Sequence, residues 1–153
     1  MDIHSKSGYP SSALSNFSPH PFVFDLIQCN SMEGLLQSFK CKYPHIQPEI
    51  CKLVGLAAKF HGKKYKWWRT GCLYWNGIAF ERNSQMYQDI LDRAYTAMYD
   101  QSESFRNALR ATGAGTPLTH SIGKNNPKNT ILTTSEFCGR LMKLRDFGHI
   151  FSS

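Results

Sequence analysis

The spacing of apolar residues divides the chain into stretches of extended and helical character. Residues 22–28, Phe-Val-Phe-Asp-Leu-Ile-Gln, have the composition and length of a strand. Immediately afterwards Leu35, Leu36, Phe39 and Tyr43 recur at helical intervals and predict an amphipathic helix. That helix opens near Asn30, where Asn30 and Glu33 have the spacing of a capping box. It ends near Tyr43-Pro44, because the residue before a proline is pushed out of helical geometry. Pro48 suits the first turn of a second helix that packs Ile50, Leu53, Val54, Ala57 and Ala58 and yields at His61-Gly62. A long helix over about 83–99 turns Met86, Ile90, Ala94, Ala97 and Met98 inward. Ser102 caps a shorter helix stopped by Gly113, and a last one spans about 135–146 with Phe137, Leu141 and Leu144 apolar. Between these lie an irregular entry over 4–21, a Trp-, Gly- and Lys-rich loop over 61–80, and a long loop over 113–133. The pattern predicts an α+β fold, a mostly helical single domain over residues 1–153 with a small β-sheet near the N-terminus and a core at about 14–146.

On the polar side of the first helix, Glu33, Gln37 and Lys40 stand at i, i+4 and i+7. At ~100° per residue they fall within a ~60° wedge, opposite the apolar stripe. A carboxylate, an amide and an ammonium in line on a rigid element make a small reactive surface. The same residues also fit a cap followed by a solvated face, and spacing alone does not separate the two readings.

Composition narrows the classes. Hydrophobic residues at 41% and charged residues at 19% describe an ordinary globular protein. The first ten residues hold no apolar run and no later run approaches spanning length, so we expect neither a secretory signal nor a membrane partner. Five cysteines without a C-x-x-C pair argue against a disulfide framework and for reduced thiols in a cytoplasmic setting. Neither cysteines nor histidines show metal-ligand spacing. The net charge of +7 is concentrated in the first half, with six basic residues and no acid between Glu49 and Glu81. Such a field favours an anionic partner, whether phosphate, nucleotide or nucleic acid. Within it, His61-Gly-Lys-Lys-Tyr-Lys-Trp-Trp-Arg69 mixes cations with aromatics. Gly62 would let a ligand approach the backbone while Lys63 or Lys64 meets a phosphate, or the segment is a solvated turn with Trp67 or Trp68 in the core.

Several segments in order resemble the YbiA-like, or NADAR, family, whose name refers to NAD and ADP-ribose linked chemistry. They are Leu14-Ser-Asn-Phe17 with His20-Pro-Phe22; Ser31-Met-Glu-Gly-Leu-Leu-Gln-Ser-Phe-Lys40, similar to the family's E-x-x-x-Q-x-x-K helix; Ala57-Ala-Lys-Phe-His-Gly-Lys63; and Leu141-Met-Lys-Leu-Arg145. Two departures accompany the likeness. Gly123-Lys-Asn-Asn-Pro127 and Ser135-Glu-Phe-Cys-Gly139 stand where many relatives carry W-G and G-x-N-x-L-G, and the family's central tryptophan has no counterpart at Trp75.

The resemblance implies a YbiA-like fold and an N-glycosidase acting on ribose conjugates without a metal or redox cofactor. The substrate would be a ribosyl-phosphate compound such as a phosphoribosylamino riboflavin intermediate, an ADP-ribosyl compound, or ADP-ribosylated guanine within nucleic acid. It implies Glu33 as the carboxylate near C1′. Its place in a first helical turn is expected to favour the ionised form. Lys40 would bind phosphate or attack C1′, and Gln37 would orient a sugar hydroxyl or the water. Asn16, assisted by Ser15, would complete the pocket, although Asn16 also suits a turn. Lys63 beside Gly62 would meet a phosphate. His120, in Leu118-Thr-His-Ser121, would donate to the departing base or to phosphate, or be polar surface. Glu136 is a second candidate carboxylate, also explained by its place in a helical first turn. A non-catalytic reader of ADP-ribose, or a plain nucleic-acid binder built on residues 59–69, remain the alternatives.

Overall fold

The computed structural model describes residues 1–151. The chain order is α1 (Ser11–Leu14), β1 (Phe22–Phe24), β2 (Ile27–Cys29), α2 (Met32–Ser38), α3 (Gln47–Cys51) and α4 (Gly55–Gly62). It continues through one 3-10 turn (Trp67–Arg69), β3 (Cys72–Trp75), β4 (Ile78–Glu81), α5 (Gln85–Gln101), α6 (Glu103–Ala111) and α7 (Thr134–Phe147). This is the α+β fold expected, with helices dominant. Its strands, however, form two separate antiparallel hairpins rather than one sheet.

The long helix α5 is the spine. Tyr87, Leu91, Ala94 and Tyr95 are fully buried on it, and it packs against β1, α2, α6 and α7. Its N-cap is Ser84, whose hydroxyl accepts from Tyr87 N at 3.2 Å. Met86, expected inside, is exposed, because the buried stripe runs through Tyr87 instead. The last helix begins with a full capping box, Thr133 with Glu136, and ends at Gly148 with φ 76°.

Three local expectations are corrected. Residues 22–28 are not one strand. Asp25 and Leu26 both take positive φ (48° and 69°), the twist of a tight hairpin turn. Asp25 holds that turn by accepting from Trp75 Nε1 and Arg93 Nη1, each at 2.8 Å. The loop over 61–80 contains the β3–β4 hairpin, turned at Asn76-Gly77 with φ 51° and 83°. Finally, the helix expected from Pro48 to His61 is broken. Val54 is extended and Gly55 takes φ 58°, which starts α4 in a new direction.

Helix α2 is also shorter than expected. It stops at Ser38, where the amide of buried Gln47 shares its two N–H groups among three carbonyls: its Nε2 lies 3.0 Å from Ser38 O, 3.1 Å from Cys41 O and 2.9 Å from Tyr74 O. Tyr43 is therefore exposed rather than part of the buried stripe, while Leu35, Leu36 and Phe39 are buried as expected.

Candidate active site

Helix α2 is seated more tightly than a capped surface helix would be. Its N-cap is Ser31, not Asn30. The Ser31 hydroxyl accepts from Gly34 N at 3.0 Å and donates to Leu53 O at 2.9 Å, tying α2 to the turn after α3. Asn30 instead spends its amide on Lys52 O at 3.0 Å. At Gly34, a Cβ would lie 2.6 Å from Leu53 O and 2.9 Å from Cys51 O, so only glycine allows this approach. Glu33 N donates to Asn16 O at 3.1 Å, which joins the entry loop to the same helix. The Glu33 side chain is thereby released from capping and faces inward.

A cavity of about 400 Å³ opens over this face. Ser15, Asn16, Glu33, Gln37, Lys40, Lys63 and His120 all line it, so seven of the residues singled out in the sequence meet in one place. Lys40 reaches it although it lies just past α2, since Lys40 N still bonds Gln37 O at 3.2 Å and keeps the chain turning. Gly62 is the exception. It is buried behind the wall, where a Cβ would overlap Gln37 Oε1 and stand 2.6 Å from Gln37 Cδ. Its smallness serves the packing of α4 on α2. Glu136 does not line the cavity either: its carboxylate takes Arg82 Nη2 at 2.6 Å, Arg82 Nη1 at 3.1 Å and Gln88 Nε2 at 2.6 Å.

Gln37 decides against a solvated face, being 6% exposed. Its Nε2 donates to Glu33 Oε1 at 2.9 Å, and its Oε1 has no hydrogen-bond partner among the described residues. The Tyr95 hydroxyl donates to Asn16 Oδ1 at 2.8 Å, and Ser15 Oγ accepts from Phe17 N at 3.2 Å in a short turn. Lys40 makes no ion pair among the described residues.

Burial shifts the proton affinities of both ionisable groups. It raises the Glu33 carboxyl above its ordinary value, and the Gln37 hydrogen bond and the charges of Lys40, Lys59 and His120 offset this only in part. The helix terminus was expected to favour ionised Glu33; desolvation outweighs it. Burial likewise lowers the Lys40 ammonium, partly offset by Glu33. The two groups are pushed towards their neutral forms, the poise suited to proton transfer or amine attack.

Further wall residues were not assigned to the pocket by sequence reasoning. Lys59 stands one helical turn before Lys63 on α4, a spacing that would have found it. Trp67 lines the wall and is buried, whereas Trp68 is 56% exposed. Lys124 comes from the segment that departs from the YbiA-like pattern, and Gly123, Asn129, Thr130, Ile131, Leu132 and Phe137 come with it. That segment forms a wall of the cavity.

Comparison with known proteins places the chain in a family. The model of the bacteriophage protein GP30.3 family matches residues 8–146, which include every wall residue named above. The chain belongs to the GP30.3 family. A relative in Enterobacteria phage T4, an uncharacterized 17.1 kDa protein of the Gp30-rIII intergenic region, is 41% identical over 148 residues, covering 95% of this chain and 97% of the relative. Among solved structures, the NMR structure of YbiA from E. coli is similar, with a TM-score of 0.60 and 18% identity over 95% of this chain and 82% of YbiA. This GP30.3-family chain therefore has the YbiA-like fold that its motifs suggested. No helix among its described residues is long and apolar enough to cross a membrane.

Proposed function

We propose that this GP30.3-family protein is an N-glycosidase of the NADAR type. It would hydrolyse the bond between ribose C1′ and a base or amine nitrogen in a ribosyl-phosphate or ADP-ribosyl compound. The observation that carries the reading is the enclosed Glu33–Gln37 pair with Lys40 beside it, in a cavity of a size suited to a mononucleotide. In this reaction the C1′–N bond breaks with its electrons leaving on nitrogen, the sugar takes oxocarbenium character, and water adds to C1′. Glu33 opposes the developing positive charge or takes the proton of the attacking water, and its hydrogen bond from Gln37 fixes the carboxylate's orientation. Lys40 anchors a phosphate or attacks C1′ as the amine that burial favours. Lys59, Lys63 and Lys124 give the wall three more ammonium groups against a single carboxylate, an arrangement suited to phosphate or diphosphate.

A nucleic-acid-borne substrate is a second reading, favoured by an adjoining groove of about 350 Å³. It shares Lys40 and Trp67 with the cavity and adds Lys42, Lys64 and Lys66 among Tyr43, Tyr65 and Tyr74, with no carboxylate.

The test is release of free base from ADP-ribosylated guanosine and from a phosphoribosylamino-pyrimidine, by wild type and by Glu33→Gln, followed by chromatography. Release by wild type and not by Glu33→Gln is the expected result, and the preferred compound identifies the substrate. Tight ADP-ribose binding by both proteins without release from either would replace the enzyme by a reader.

A further inference from the structure

The N-terminal segment is stitched to the loop that carries His120. Ile3 N donates to Thr119 O at 2.8 Å and Thr119 N to Met1 O at 2.9 Å, a parallel bridge between Asp2 and Thr119. The Asp2 carboxylate accepts from Ser121 N at 2.7 Å, Ser121 Oγ at 2.8 Å and Thr119 Oγ1 at 3.0 Å. The Ile3 side chain is fully buried in the same core as Leu118. On the other side, Ser11 Oγ donates to Asp2 O at 2.7 Å and accepts from His4 N at 2.9 Å. These contacts fix one group relative to another: Ile3 O stands 2.7 Å from His120 Nδ1.

A carbonyl oxygen only accepts, so Nδ1 must carry the proton. In the neutral ring the lone pair then sits on Nε2, since the hydrogen bond at one nitrogen sets the state of the other. Nε2 has no protein partner among the described residues, and His120 lines the same cavity as Glu33 and Lys40. The ring cannot easily turn away. The Phe137 ring packs edge-to-face with it, 5.4 Å between centroids and 77° between planes. Gly123 closes its other side, where a Cβ would stand 2.6 Å from His120 Cδ2.

We propose that residues 1–4 are a strap that presents His120 Nε2 to the cavity as an acceptor, with Asp2 as the positioning residue that holds the strap to the loop. Sequence reasoning offered His120 as a donor to the departing base or phosphate. The geometry gives the neutral ring the opposite role: it accepts a proton or hydrogen bond from a substrate hydroxyl, an N–H or the attacking water. Its use in catalysis rests on the cavity being the reactive site; the strap and the tautomer do not.

Long-range ¹H–¹⁵N correlation of histidine-labelled protein, at a pH where the ring is neutral, reads the tautomer directly. His120→Gln assigns the signal by removing it. The expected wild-type pattern is a single form with protonated Nδ1 and bare Nε2. Asp2→Ala should lose that single-form pattern, and Asp2→Asn, which keeps an oxygen to accept from Ser121, should restore much of it. A wild-type ring protonated at Nε2, or an Asp2→Ala protein with the wild-type pattern unchanged, would overturn the proposal. If the enzyme reading also holds, Asp2→Ala lowers kcat for base release more than it raises KM. The predicted tautomer in a protein without any turnover supports the strap and counts against the enzyme reading alone.

Discussion

Gly62→Ala is the substitution that tests most directly whether the Glu33–Gln37 pair is held by the packing of α4. In an isolated helix the change would stabilise by up to about 1 kcal/mol, less at a terminal position such as this one. Here the new methyl overlaps Gln37 Oε1 and lies 2.6 Å from Gln37 Cδ, against the 3.4 Å at which ordinary contact begins. The amide must withdraw by roughly 1 Å or more, and its 2.9 Å bond to Glu33 Oε1 is lost. That bond is worth about 1–3 kcal/mol, depending on whether Glu33 is ionised. The expected net effect is a loss of about 1–2 kcal/mol, read as a lower urea midpoint at constant slope or a melting temperature lower by about 3–6 °C. In a Gln37→Ala background the obstacle is gone, and Gly62→Ala should be neutral or stabilising. The pair should thus show a coupling energy of about 2 kcal/mol in a double-mutant cycle. Additivity within about 0.5 kcal/mol would refute the reasoning, because it would mean the two residues do not meet.

Other outcomes follow from the same contacts. Glu33→Gln should stabilise the protein at neutral pH. A raised carboxyl opposes folding above its ordinary value of about 4.5 and not below it, so the variant's advantage should vanish as pH falls through that region; chemical denaturation at several pH values checks this. Glu136 has the opposite sign. Burial would raise it, but hydrogen bonds from Arg82, Gln88 and Thr133 N outweigh that and hold it below the ordinary carboxylate range. Its contribution should be complete above about pH 4.5 and disappear as the solution is acidified through its lowered value, and Glu136→Gln should remove that part of the acid sensitivity. Arg82→Met, which strands Glu136 in a pair only 4% exposed on the arginine side, should cost about 3–5 kcal/mol. Gln47→Leu leaves the carbonyls of Ser38, Cys41 and Tyr74 without their donor and should cost about 3 kcal/mol in thermal or urea unfolding.

What could be read from the chain and what could not divides along physical lines. The Glu33–Gln37–Lys40 face was legible because helical spacing is a local property, and α5, α6 and α7 were legible for the same reason. The β1–β2 hairpin was hidden because Leu26 is not a residue that announces a turn; its positive φ is enforced by Asp25 holding Trp75 and Arg93, fifty and more positions away. The β3–β4 turn did carry a signal, Asn76-Gly77, obscured by the surrounding Trp, Gly and Lys. The charge states of Glu33 and Lys40 were beyond local reasoning altogether. They depend on how deeply α2 is enclosed, and that is set by Gly34 meeting the carbonyls of Cys51 and Leu53, by Gly62 on α4 and by Ser31 reaching Leu53. The tautomer of His120 likewise depends on Ile3, 117 positions earlier.

That separation has a consequence for how the protein comes into being. The cavity is lined by residues between 5 and 67 on one side and 120–137 on the other, so a ribosome must add more than fifty residues between the two. At about 5–20 residues per second, a nascent chain carries Glu33 and Lys40 for several seconds without the opposite wall. During that interval the carboxylate and ammonium are solvated and ordinary. The enclosure of Glu33 and Lys40 then arrives with the last third of the chain, and an incomplete product lacks the finished cavity.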